Sequence, residues 1–180
     1  MDKLLLEWNK SGSPGGSFAV IKDGKVLYKG GFGYGNLDYD YPNAPNTVFY
    51  LASVSKQFTA MSMALLEEQG RISLDDDIRK YFPEIPDYGY RVTIRNLIHH
   101  TSGLRDYLNL WVLKGRSYAD VFDEQEIINL IARQKALNFK PGDQYMYSNS
   151  GYFLMAVLVK RVIGMSLRDY TNQYFFQPLE

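Results

Sequence analysis

Ser53 and Lys56 stand three residues apart in the run Phe49-Tyr50-Leu51-Ala52-Ser53-Val54-Ser55-Lys56-Gln57-Phe58. Residues three apart on a helix share a face, so a lysine amine there lies beside the serine hydroxyl. If the pair is desolvated, the amine loses its charge more readily and can take the serine proton, which turns a weak nucleophile into a strong one. A serine at a helix N-terminus also meets backbone N–H groups and a helix dipole that favour developing negative charge. Spacing alone leaves the pair ambiguous. About one Ser-x-x-Lys arises by chance at this serine and lysine content, and this chain has one. The ordinary account of such a match is a solvated lysine on an exposed helix face.

A serine–lysine site needs a second proton-handling group, and a tyrosine serves if its phenolate is stabilised. Tyr-x-Asn occurs at Tyr34, Tyr41, Tyr107, Tyr147 and Tyr170, so the tripeptide selects nothing by itself. Only Tyr147-Ser148-Asn149 follows a chain break, Lys140-Pro141-Gly142, and directly precedes a long apolar run. A short loop pinned by a core helix holds side chains rigidly, which makes Tyr147 and Asn149 the best pair. A loop tyrosine bonded only to backbone is the competing reading.

Other constellations carry less. His99 and His100 are adjacent, so on a helix they diverge and cannot grip one metal as an i, i+4 pair could. They read as helix-end residues, one of them hydrogen-bonded into Thr101-Ser102-Gly103. Asp75, Asp76 and Asp77 read as a solvated, dipole-stabilised helix start. The glycines of Gly30-Gly31-Phe32-Gly33-Tyr34-Gly35-Asn36 do not match a phosphate-loop spacing, and a bulged or twisted strand end accounts for them better. No Gly-x-Ser-x-Gly elbow is present. Neither a metal nor a cofactor is expected.

The elements that must position these groups follow from periodicity and punctuation. Residues 1–10 read as the end of an amphipathic helix. Phe18 to Ile21 and Lys25 to Lys29 read as strands joined by the turn signal Asp23-Gly24. Ser53 to Gln69 reads as a helix with Phe58, Met61, Leu65 and Leu66 on its apolar stripe and Gly70 at its end. Ser73 to Ile78 reads as a cap followed by a short helix, Thr93 to His99 forms another, and Asp123 to Gln134 is amphipathic. Gly151 to Ile163 reads as a buried helix, and Leu167 to Phe176 as the last one. Tyr107 to Tyr118 reads as a loop whose Trp111 either lines the site or packs.

The chain of 180 residues suits one domain or two small lobes. Its 20 basic and 20 acidic residues cancel, so no surplus points to nucleic acid or to an anionic membrane. The 15 tyrosines suit a polar-walled groove and equally a surface-to-core boundary. Absence of cysteine excludes disulfides, thiolate–zinc sites and cysteine nucleophiles. No apolar run is long enough for a membrane span. The opening Met1-Asp2-Lys3-Leu4-Leu5-Leu6-Glu7 is too short and acidic for a secretory signal. Periplasm or exterior and cytoplasm both remain open.

One hairpin followed by about 130 mostly helical residues is a lopsided arrangement by this reading. A lone hairpin is marginal in water and its edges leave backbone groups unpaired. Something must complete that sheet, so further chain or a partner is expected.

Taken in order, the motifs resemble those of the serine beta-lactamase-related family: class C beta-lactamases, D-alanyl-D-alanine carboxypeptidases and penicillin-binding-protein-like esterases. The resemblance runs through Ser13-Pro14-Gly15-Gly16, Asp23-Gly24-Lys25, Ala52-Ser53-Val54-Ser55-Lys56 and Gly70-Arg71-Ile72-Ser73-Leu74-Asp75-Asp76. It continues through Leu97-Ile98-His99-His100-Thr101-Ser102-Gly103-Leu104 and Pro141-Gly142 to Tyr147-Ser148-Asn149-Ser150-Gly151-Tyr152. It implies an α+β fold of beta-lactamase/transpeptidase type, an antiparallel sheet flanked by helices beside an all-helical lobe. Residues 1–180 would form the N-terminal portion, with 1–50 contributing to an incomplete sheet and 51–180 carrying the nucleophile helix and helical lobe. Ser53 would be the acylated nucleophile, Lys56 a base or proton relay, Tyr147 the activator of the serine or the acid for the leaving group, and Asn149 the group holding the substrate amide.

The chain departs from the family in one respect. No Lys/His-Thr/Ser-Gly motif follows Tyr147. The resemblance places that motif on a strand that supplies the second oxyanion-hole donor, so residues 1–180 alone are expected to be inactive or weak. The expected activity is that of a serine hydrolase forming an acyl-enzyme with a beta-lactam, a D-amino-acid peptide or a small ester. A non-catalytic penicillin- or peptide-binding sensor and a structural module recruiting a strand by its hairpin edge are the alternatives.

Overall fold

The computed structural model describes residues 2–179. Its backbone divides into two compact units, Met1–Ala52 and Ser53–Glu180.

In the first unit a short helix α1 (Asp2–Leu5) precedes a hairpin of β1 (Gly16–Lys22) and β2 (Lys25–Phe32). The helix expected over residues 1–10 is thus confined to one turn, and Trp8 and Asn9 close back onto the Leu5 carbonyl; Met1 lies outside the described residues. Asp23 and Gly24 take φ of 50° and 72°, the backbone that a two-residue turn matched to the strand twist requires. Both strands run longer than periodicity suggested, with a register shift between Val20 and Ile21. Phe18 stacks on Tyr28 across the pair at 5.2 Å, while Val26 and Leu27 are 56% and 61% exposed. A second ladder joins β3 (Tyr34–Asn36) to β4 (Tyr41–Pro42), again with a register shift. The glycines expected at a distorted strand end serve close backbone packing. A Cβ on Gly31 would sit 2.2 Å from the Asn43 carbonyl oxygen, and Gly33 combines φ +57° with a similar clash against Trp8 O.

The second unit is helical. A 3-10 turn (Ala52–Ser55) leads into α2 (Lys56–Glu68). This helix ends as predicted at Gly70, whose φ is +66°. Gly70 N–H donates to Glu67 O and Arg71 N–H to Leu66 O, the paired closure that a left-handed glycine permits. The buried face of α2 differs from the expected stripe. It carries Thr59, Ser62, Met63 and Leu66, and Met61 is 55% exposed. The residues at 59, 62, 63 and 66 have the same helical spacing as the apolar stripe, and Ser62 tolerates burial because its hydroxyl donates to Phe58 O at 2.8 Å.

Short elements follow. The helix expected after Ser73 is a 3-10 turn (Ile78–Lys80) capped by Asp77, whose side chain accepts from Arg79 N. The acidic run there is paired, in contrast to the solvated turn expected. Asp75 meets Arg95, Asp76 meets Lys80, and Asp77 meets Arg79. The Tyr81 hydroxyl and the Lys80 ammonium hold the Asp76 carboxyl down at about 2. Helix α3 (Ile94–Ile98) opens with a reciprocal Thr93–Asn96 capping box.

The segment read as a loop over 107–118 contains α4 (Tyr107–Leu113), capped by Asp106. Its Trp111 packs: the ring is 1% exposed, and its Nε1–H donates to Ser117 O. Helix α5 (Glu124–Ala132) is capped by Asp123. Helix α6 (Asn149–Ile163) packs against α2, α3, α4 and α7 (Leu167–Thr171) and forms the centre of the unit. The final helix, expected to reach Phe176, passes into a π-helical turn (Asn172–Phe176) after Thr171.

The core gathers Met63 and Leu66 of α2, Ile94 and Leu97 of α3, Trp111 of α4, and Ile127, Ile128 and Ile131 of α5. Leu154, Met155, Val157 and Leu158 of α6 belong to it as well, together with Tyr170. Among the described residues no single helix is long and apolar enough to cross a membrane.

Leu158→Ala removes a fully buried side chain from the central helix, and we expect it to lower unfolding free energy by about 2–5 kcal/mol. Met61→Ala, on the exposed face, should stay within about 0.5 kcal/mol of the parent. Denaturant midpoints at constant slope compare the two, and equal losses would contradict this packing.

Candidate active site

The site is built where the starts of α2 and α6 meet. Ala52, immediately before the serine, holds a left-handed φ of +46°, a strained conformation for a residue with a Cβ. The 3-10 turn that follows carries Ser53, and Lys56 is the first residue of α2. The expected one-turn spacing therefore brings the pair together across the join between a 3-10 turn and an α-helix. Lys56 Nζ donates to Ser53 Oγ at 3.1 Å.

The two residues predicted from the distant segment arrive at the same point. Tyr147 Oη lies 2.7 Å from Ser53 Oγ. Lys56 Nζ donates to Asn149 Oδ1 at 2.9 Å. Tyr147 closes the loop and Asn149 begins α6, so a helix anchored by fully buried side chains sets the position of both. The lysine is half-buried and lies over the faces of Tyr147 and Tyr152, 5.0 and 5.5 Å from the ring centroids. Electron-rich ring faces and two oxygens thus surround its ammonium, in place of the open solvent that a chance Ser-x-x-Lys would meet. Tyr147 remains 43% exposed, which leaves room for an incoming group beside the serine.

Opposed effects act on the Tyr147 phenol. Burial pushes its pKa up, but the neighbouring Lys56 ammonium and the Ser53 hydroxyl outweigh that, and the phenol is held below the ordinary tyrosine value. A lowered phenol reaches its phenolate form at lower pH, and a phenolate within hydrogen-bond distance of a serine hydroxyl can accept that hydroxyl's proton. The arrangement thus places a serine hydroxyl within hydrogen-bond distance of both a phenol and an ammonium.

His99 and His100 follow the end of α3 as expected, with His99 at its cap, but the His100 ring does not bond into Thr101-Ser102-Gly103. Nδ1 accepts from Ser148 N–H at 3.2 Å, and the ring lies against Tyr147 and Tyr152, with centroids 4.5 and 5.1 Å away. His100 also takes φ +57°, and its carbonyl accepts from Met146 N–H. It thus holds the Tyr147 loop from behind by backbone and side chain. Nothing in the pair His99-His100 signalled this, because a left-handed histidine whose partners are Met146, Tyr147, Ser148 and Tyr152 leaves no local pattern.

Asp106 was missed with the helix it caps. Its Oδ2 accepts from both Asn149 N–H, at 2.5 Å, and Asn149 Nδ2, at 2.8 Å. An aspartate just before Tyr107-Leu108-Asn109-Leu110-Trp111 is a helix-start signal that could have revealed it. Nearby, the Ser150 hydroxyl donates to Arg105 O and accepts from Tyr107 N–H. Among the described residues no group of three or more His, Cys, Asp or Glu is placed to hold a metal ion.

Burial and the Lys56 charge hold the His100 pKa below its usual 6.5. The folded state therefore resists a proton that the unfolded chain accepts. Stability from this group is full above about 6.5 and declines as pH falls from there toward the folded value. Unfolding midpoints at pH 7.5 and 5.5 should show a drop that shrinks in His100→Asn, a residue that tolerates left-handed backbone. An unchanged drop would contradict it.

The beta-lactamase family profile matches residues 3–180. Penicillin-binding protein 4* of Bacillus subtilis is 36% identical over 164 residues, covering 91% of this chain and 36% of that protein. A D-aminopeptidase of Brucella anthropi is 36% identical over 92% of this chain and 31% of its own length. The chain thus spans about a third of these curated relatives. Among solved structures, the octameric penicillin-binding protein homologue of Pyrococcus abyssi superposes with a TM-score of 0.86 at 31% identity, covering 99% of this chain and 42% of that one. A D-amino acid amidase of Ochrobactrum anthropi superposes at 0.76 with 27% identity, covering 92% and 45%.

Proposed function

The chain belongs to the beta-lactamase family, with a beta-lactamase/transpeptidase-like fold, and on that premise we propose that Ser53 is the nucleophile of a serine hydrolase that works through an acyl-enzyme. The observation carrying this reading is the contact of Ser53 Oγ with Tyr147 Oη at 2.7 Å and with Lys56 Nζ at 3.1 Å. Tyr147, as phenolate, takes the Ser53 proton while Oγ attacks the substrate carbonyl. Lys56 stabilises that phenolate. Tyr147 then returns the proton to the leaving group, and water releases the acyl chain by the reverse sequence. Asn149 presents its remaining amide hydrogen to a substrate carbonyl.

The substrate class is an amide or ester: a D-amino-acid peptide or amide, a beta-lactam, or a small ester. The relatives named D-aminopeptidase and D-amino acid amidase favour the first. Residues 1–180 span about a third of the curated relatives and lack a Lys/His-Thr/Ser-Gly motif after Tyr147. We therefore propose that this span alone turns over weakly, because one oxyanion donor lies outside it. Such a donor is worth about 2.7–4 kcal/mol in the transition state.

Two tests follow. A fluorophosphonate or labelled penicillin should add its mass at Ser53, and Ser53→Ala should abolish the adduct. The labelling rate should rise with pH through a midpoint below about 10, since a lowered phenol populates its phenolate at lower pH, and Tyr147→Phe should remove that limb. A pH-independent rate would sink the role of Tyr147. Acylation without release would point to a sensor, and no adduct to a structural module.

Refolding this span with a polypeptide corresponding to the remainder of its relatives should raise turnover by about a hundredfold or more. Equal turnover with and without it would refute the dependence.

A further inference from the structure

We propose that Asp106 is a positioning residue for this site, turning the Asn149 amide so that its oxygen faces Lys56. The inference rests on the functional reading above and adds a residue outside its motifs. A carboxylate only accepts hydrogen bonds, whereas an amide has a donating and an accepting end. Asp106 Oδ2 takes Asn149 Nδ2 at 2.8 Å, which leaves Oδ1 as the end presented to Lys56 Nζ at 2.9 Å. The flipped amide would aim N–H groups at an ammonium. A neutral amide side chain at position 106 could satisfy either orientation; a carboxylate permits one.

The same carboxylate ties two helices to the site. Oδ1 accepts from Leu108 N–H at 2.9 Å and caps α4. Oδ2 accepts the N–H of Asn149, the first residue of α6. Helix α6 needs that help, because its own flanking Ser148 makes no side-chain cap and the Ser148 hydroxyl is buried without a partner. Asp106 thus provides from a distant segment the negative group that a helix start favours.

Asp106→Asn keeps the α4 cap, because asparagine is a good helix cap, but its single oxygen cannot also accept from Asn149. The unfolding midpoint should therefore fall too, and the double variant below separates positioning from support. The rate of Ser53 labelling by a fluorophosphonate should fall about tenfold or more, as expected for loss of one hydrogen bond to a charged group. The double variant Asp106→Asn/Asn149→Asp restores the polarity: the amide introduced at position 106 donates to the carboxylate introduced at position 149, and that carboxylate also accepts from Lys56. It should label faster than Asn149→Asp alone, which shares its loss of the Asn149 amide donor. Wild-type labelling by Asp106→Asn, or a double variant no faster than Asn149→Asp, would overturn the proposal.

A second readout does not depend on acylation. In 15N-labelled protein one Asn149 side-chain amide proton should resonate downfield and exchange slowly, and should lose both properties in Asp106→Asn. If the parent never labels but shows this proton, the hydrolase reading fails and the positioning role stands; if the proton is ordinary and unaffected by the substitution, the positioning role fails.

Discussion

The Lys56 ammonium is the point on which the site depends. It donates to Ser53 on its own helical turn and to Asn149 on α6, and it lies over Tyr147 and Tyr152. A half-buried cation needs such partners, because desolvating it without them is costly. Once it is held, it fixes where the serine hydroxyl and the phenol can be, and it lowers the phenol that the serine touches. Remove the ammonium and Tyr147 loses the charge that opposes its burial.

The remaining structure keeps the starts of two helices together. Helix α6 buries one face from Ser150 to Val159 and packs against four others, which holds the residues of its first turn in place. Gly151 shows how closely this is built: a Cβ there would come within 3.3 Å of the backbone of Leu97 in α3. That approach brings the end of α3, and with it His100, behind Tyr147. The Arg105 to Tyr107 segment is latched to Ser150 and Asn149 from the other side. Helix packing thus sets the site from behind, while Ser53 and Tyr147 stay open to solvent.

How much of this was legible in the sequence depended on whether the signal was local. Ser53 and Lys56 were legible because one helical turn brings them together. The Asp23-Gly24 turn and the Gly70 helix end were legible because their backbone angles demand those residues. Tyr147 and Asn149 were separable from four similar tripeptides only through their place before a buried helix. Met61 was misplaced on α2 because hydrophobicity alone cannot show that Thr59 and Ser62 face inward once a backbone carbonyl satisfies the serine. Helix α4 was hidden by a polar, glycine-interrupted surrounding, and Asp106 was lost with it. His100 was illegible in principle, since its contacts come from residues far along the chain.

The most direct test is a titration of Tyr147 itself, followed by 13C NMR of a tyrosine labelled at the phenolic carbon and assigned through Tyr147→Phe. The account predicts a midpoint below about 10 that moves upward in Lys56→Met. A midpoint at or above the ordinary tyrosine value, unmoved by loss of the ammonium, would contradict it.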